Sequence, residues 1–154
     1  MIKRFVTLAA AAFLLPPMAQ AAPADPTYTS RCAMCHQTGA VGLPGQYPRL
    51  AGRVGVMASK PEGRRYLALV LLNGMIGSID VEGKPIFGVM PTFASVKDQD
   101  IANTLNYLIA LQPPAKKPAA FTAAEIAKVR AEPRIAGAQV SAQRKTLVAA
   151  KVIP

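Results

Sequence analysis

Apolar residues recur along this chain mostly at helical spacing, with one short alternating stretch, and the pattern predicts a mainly helical protein. Ile101, Leu105, Leu108 and Ile109 fall at intervals of four, three and one, the stripe of a helix with one buried face. Asp98 can cap this helix, which runs to about Leu111. An earlier helix starts near Pro61 and covers Glu62 to Leu72, with Asn73-Gly74 ending it as a left-handed C-cap. Between the two, Ile76 to Phe87 alternates weakly around Glu82-Gly83, which predicts a short β-hairpin. Nearer the start, Asp25-Pro26 reads as an N-cap followed by proline in the first helical position. That helix carries Tyr28 and runs into residues 32–36. Gly39 to Gly55 holds five glycines and two prolines and reads as a loop.

Both ends of the chain change character. Lys3 and Arg4 precede an apolar run from Phe5 to Leu15, and Ala19-Gln20-Ala21 is a small-x-small cleavage site, so residues 1–21 read as a secretory signal. The run is too short to span a bilayer, which makes an uncleaved anchor the second reading. Residues 22–112 form the main domain, and 113–154 a linker and C-terminal extension. Pro113-Pro114-Ala115-Lys116-Lys117-Pro118 cannot be helical. Thr122-Ala123-Ala124-Glu125 is a capping box, so a short helix is expected from Ala123 to about Ala131, stopped by Pro133. The remaining tail is basic and poor in large apolar residues, and is expected to wrap a surface or stay mobile.

The chain carries 18 Lys and Arg against 8 Asp and Glu, a net charge of +10. Loss of Lys3 and Arg4 leaves 16 against 8, or +8. This basic balance predicts partners with acidic faces. Export and the lack of any nucleic-acid-binding motif argue against nucleic acid. The chain has four Tyr, five Phe and no Trp, so its core gains much from an apolar prosthetic group.

One pentapeptide concentrates the chemistry. Cys32-Ala33-Met34-Cys35-His36 is a C-x-x-C-H motif, the attachment signature of a c-type haem. Two thiols three residues apart on a helical turn reach the two vinyl groups of one haem, and His36 then faces the iron. These are the only two cysteines and the only histidine in the chain. A zinc site would need further Cys or His ligands. A disulfide would explain the cysteines but not the adjacent histidine. For the second iron ligand, Met34 lies inside the motif and cannot reach the far haem face, which leaves Met57, Met75 and Met90. Met57 and Met75 read as core residues. Met90 is favoured, because Pro91 holds it out of the helical region, in an extended segment that can present a thioether.

Cys32–His36, the Pro48-Arg49-Leu50-Ala51-Gly52 loop, Gly88-Val89-Met90-Pro91 and the helix with Tyr107 occur in an order that resembles a class I cytochrome c, over about Asp25 to Leu111. The resemblance implies an all-α fold around one covalent haem c, with a hairpin before the methionine ligand and a C-terminal helical extension. It implies that Pro48 offers its carbonyl to His36, that Leu50 packs on the haem, and that Tyr28 meets Tyr107 where the first and last helices cross. The long Asn73–Met90 stretch and the extension are similar to the haem subunits of periplasmic dehydrogenases. The expected function is periplasmic one-electron transfer with no catalytic residue. The electrons would come from such a dehydrogenase; the alternative is a free shuttle to a terminal oxidase or reductase. A haem enzyme with an open distal site is the other class, and it lacks a second histidine for acid–base work. Arg49, Arg53, Lys84 and Lys97 are candidates for a basic docking rim, and Arg49 or Arg53 for pairing a haem propionate.

Overall fold

The computed structural model describes residues 23–154. The expected secretory segment lies outside the described residues. In chain order the helices are α1 (Pro26–Arg31), α2 (Ala33–His36), α3 (Arg53–Met57) and α4 (Pro61–Asn73), followed by strands β1 (Met75–Val81) and β2 (Lys84–Met90). Helices α5 (Asp98–Leu111), α6 (Ala123–Arg130) and α7 (Gly137–Ala149) complete the chain. Among the described residues, no helix is long and apolar enough to cross a membrane.

Most predicted elements are present, with differences that have local causes. The Asp25 carboxylate accepts the Tyr28 amide at 2.7 Å, as an N-cap should, and also the Thr104 hydroxyl at 2.8 Å, tying α1 to α5. The Tyr28 and Tyr107 rings meet at the same crossing, 5.2 Å apart and tilted. Helix α4 ends at Gly74 with φ 73° and ψ −175°, not in the left-handed helical region, because the chain leaves directly into β1. A Cβ there would lie 2.6 Å from the Met90 carbonyl oxygen. The cap of α5 is Lys97, not Asp98. Asp98 sits in the first turn and binds Arg130 of α6 at 2.7 Å. The glycine-rich loop is shorter than expected, because α3 begins at Arg53 inside it.

The hairpin is antiparallel and closes through Glu82-Gly83, whose φ values are 56° and 73°, as primed two-residue turns require. Its register pairs Met75 with Met90, Gly77 with Gly88 and Ile79 with Ile86, so these three pairs share one face.

The largest difference lies at the C-terminus. The tail forms the 13-residue helix α7, which packs on β1 and α4, while α6 packs on α5 and α4. Phe121, Ile126, Val129, Val140 and Ile153 are buried in the same core as Tyr66, Leu105 and Leu108. Thr122 caps α6 through the Glu125 amide at 3.2 Å. The Glu125 carboxylate turns away to grip Arg64 of α4 at 2.7 Å from both Nε and Nη2, and the Arg64 guanidinium lies 3.9 Å over the Phe121 ring.

Candidate functional site

The chain between α1 and α2 bends at Cys32, whose carbonyl accepts the amides of Cys35 and His36 at 3.2 and 2.9 Å. This single turn sets the two thiols on one side and brings His36 beside them. Both cysteines are free thiols, Cys32 buried and Cys35 half-buried. Burial, aided by the nearby Asp25 charge, pushes the Cys32 thiol up to about 11, so it stays protonated at neutral pH.

His36 is only 6% exposed. Its Nδ1 lies 2.9 Å from the Pro48 carbonyl oxygen. A proton on Nδ1 is donated to that carbonyl, which leaves the Nε2 lone pair free to bind a metal. Burial holds the imidazole below its ordinary pKa, and the Pro48 hydrogen bond pulls the other way. The balance favours the neutral ring, the form that ligates.

Cys32, Cys35, His36, Pro48 and Met90 line one cavity of about 420 Å³, within the usual range for cofactor sites. Its walls are mainly apolar, with Ile79, Ile86 and Phe93 among them. The glycine pair Gly77 and Gly88 also lines it, and a Cβ on either would meet nothing within 4 Å. The strands therefore present bare backbone to the cavity where side chains would otherwise fill it. At this pair the hairpin wall, elsewhere carried by Ile79, Ile86 and the methionines, is bare, which leaves room for a large planar group.

The methionines separate by their surroundings. Met57 is buried in the core on α3 and does not line the cavity. Met75 is buried and does line it, but its sulfur accepts the Tyr66 hydroxyl at 3.5 Å. Met90 is its cross-strand partner and shares that face. Beyond Met90 the chain is pinned to the end of α4: the Thr92 hydroxyl donates to the Leu72 carbonyl and the Phe93 amide to the Leu71 carbonyl, both at 2.7 Å. Met34 is 85% exposed at the cavity mouth.

Two sequence expectations fall elsewhere. Leu50 is partly buried against the core and is not among the residues lining the cavity. Arg53 is 8% exposed, so it does not belong to a docking rim. It points to the hairpin turn, where Glu82 receives Arg49 at 2.6 Å and Arg53 at 3.5 Å. Gly77, Tyr66 and Thr92 carry no signal in the sequence reading, and Gly88 enters it only as the start of the Gly88–Pro91 segment. The glycine pair was within its reach, since a two-residue turn at Glu82-Gly83 places Gly77 opposite Gly88.

Haem c fits this donor set. The Cys32 and Cys35 thiols would hold it covalently, His36 would face the iron, and the group would supply a one-electron Fe(III)/Fe(II) couple. The sequence profile of the family described as Cytochrome c matches residues 21–112. The chain is similar to cytochrome c-552 of Thermus thermophilus, 45% identical over 121 residues, covering 77% of this chain and 92% of that protein. A second Thermus thermophilus cytochrome c-552 is likewise 45% identical over 121 residues, covering 77% of this chain and 81% of its own. With C-x-x-C-H at the mouth of an apolar cavity and the family profile spanning that cavity's main walls, the chain belongs to the cytochrome c family, as an electron-carrying protein with covalently bound haem c.

Proposed function

We propose that this protein is an exported, periplasmic carrier of single electrons whose haem iron is held between His36 and Met90. The observation that carries the ligand assignment is the cross-strand methionine pair. Tyr66 engages the Met75 sulfur, and the bonds from Thr92 and Phe93 to α4 fix the chain just after Met90. A thioether opposite a histidine favours Fe(II) and raises the potential. Two protein ligands leave no iron position for substrate, which suits electron transfer.

The electrons come, on this reading, from a periplasmic dehydrogenase that the protein serves as haem subunit. Met34 and Phe87 are 85% and 81% exposed beside the cavity, so a partner can approach the cofactor across an apolar contact. Lys84 and Lys97 are exposed, and their charge suits an acidic partner face.

Met90→Ala and Met75→Ala test the ligand assignment. Met90→Ala is expected to abolish the weak far-red band of a ferric iron–thioether bond and to lower the midpoint potential. Met75→Ala should leave the band in place. Loss of the band in the Met75 variant alone would transfer the ligand role to Met75.

A further inference from the structure

Helix α7 does more than cover β1. Its Ser141 lines the cavity and donates to the Ile76 carbonyl at 2.9 Å. One turn further, on the same face, Arg144 is 5% exposed. Its Nη2 donates to the Asp80 carbonyl at 3.1 Å and to the Pro154 main-chain oxygen at 2.8 Å. Its Nε is the one buried side-chain polar atom without a hydrogen-bond partner among the described residues. Asp80 directly follows Ile79, a cavity-lining residue. Arg144 therefore sits one turn along α7 from one cavity-lining residue and bonds β1 one residue from another.

A second arginine stands beside Arg144. Arg53 is also buried and donates to the same Pro154 oxygen at 3.1 Å. Burial and repulsion from Arg144 lower the Arg53 pKa. The nearby side-chain carboxylate, Glu82, is half exposed and already shared between Arg49 and Arg53. Arg53 and Arg144 thus meet at the Pro154 oxygen, and the Arg144 Nε is left as the N–H without a partner. An arginine with an unused N–H, buried beside a cofactor cavity, is suited to a carboxylate.

We propose that Arg144 is a cofactor-binding residue: with Arg53 beside it, its guanidinium holds a haem propionate. Arg144 lies outside residues 21–112, the part that matches the family profile. The C-terminal extension is thus part of the haem site, and electron affinity is set partly by a residue of the extension. A cation at a propionate disfavours the more positive ferric centre, so it raises the midpoint potential. It also keeps the propionate ionised. The charged and titratable groups around this point are Arg49, Arg53, Tyr66, Asp80, Glu82 and Arg144.

The test is a spectroelectrochemical titration of the full holoprotein carrying Arg144→Gln, with Lys145→Gln as an exposed control of equal charge change on the same helix. Arg144→Gln should shift the midpoint potential downward, retain the far-red iron–thioether band, and make the potential pH-dependent in the mildly acidic range. Lys145→Gln should do none of these. An unchanged potential and pH profile, whatever the loss in melting temperature, would reduce Arg144 to a tie for Pro154 and the hairpin. A lower potential seen only with loss of the band would overturn the proposal in favour of hairpin displacement. If the Gln variant does not accumulate, the unmodified protein decides: its potential should be flat over the mildly acidic range, and a fall with rising pH there overturns the proposal. Absence of the far-red band from the unmodified protein would instead sink the Met90 assignment, leaving the comparison of potentials intact.

Discussion

Replacing Ile126 with Ala tests whether the C-terminal extension is built into the core or merely laid on it. Ile126 has no exposed surface and lies on α6, between α4 and α5. The substitution removes three carbons. At about 0.8 kcal/mol each, the transfer contribution is about 2.4 kcal/mol. Incomplete collapse of the space adds about 1 kcal/mol, for a total near 3 kcal/mol. For a chain of this size the denaturant slope in guanidinium chloride is about 3 kcal/mol per molar, so the unfolding midpoint should fall by about 1 M. The assay is equilibrium unfolding of the holoprotein, followed by far-ultraviolet circular dichroism and by haem absorbance. Val148→Ala, at a site 39% exposed on α7, is the control and should cost less than about 0.5 kcal/mol. The reasoning fails if Ile126→Ala shifts the midpoint no more than the control. It also fails if the haem signal keeps its midpoint while the dichroism splits into two transitions, because the extension would then unfold alone.

Gly88→Val puts a branched side chain into the open space facing the cavity. The ratio of covalent haem to protein after co-expression with the maturation machinery should fall well below that of the unmodified chain, and an equal ratio would remove Gly88 from the cofactor wall. Tyr28 donates to the Gln37 carbonyl at 2.7 Å, and burial pushes its pKa up to about 12 from an ordinary 10. The folded state binds the phenolic proton more tightly, so this contribution is complete below pH 10 and disappears as pH rises from 10 to 12, on the order of 2 kcal/mol in all. Chemical unfolding at pH 8 and pH 11 should show a steeper alkaline loss in the unmodified protein than in Tyr28→Phe, whereas parallel losses would contradict the assignment.

Much of the site was legible because its chemistry is local in sequence. The C-x-x-C-H spacing needs only one helical turn, and the bend at Cys32 supplies it. The Glu82-Gly83 turn fixes the hairpin register, which sets Met90 opposite Met75 and Gly77 opposite Gly88. The sequence already favours Met90 over Met75 through Pro91, but spacing does not show that Tyr66 of α4 reaches across to the Met75 sulfur. Arg49 and Arg53 looked equivalent in a basic loop. They differ because α3 starts at Arg53 and carries it inward, while Arg49 stays on the rim with Glu82.

Helix α7 was missed for a different reason. Its buried residues are Gly137, Val140, Ser141 and Arg144, spaced at three, one and three, the stripe of a packed helix. Only Val140 is a large apolar residue, so a hydropathy pattern reads the stripe as polar. The face is suited to backbone rather than to side chains. Gly137 lets the helix come within van der Waals reach of Ile76, where a Cβ would stand 3.1 Å from the Ile76 amide nitrogen. Ser141 and Arg144 then donate to the Ile76 and Asp80 carbonyls of β1. A two-stranded hairpin exposes carbonyls along its outer edges, and an uncovered edge invites pairing with another chain. Along β1 the short serine serves one end and the long arginine the other, while Val140, next to the serine, anchors the helix in the core. The residues that make this helix unreadable by hydrophobicity are thus the ones that let it bind a strand edge, and Arg144 still has an unused N–H for a carboxylate.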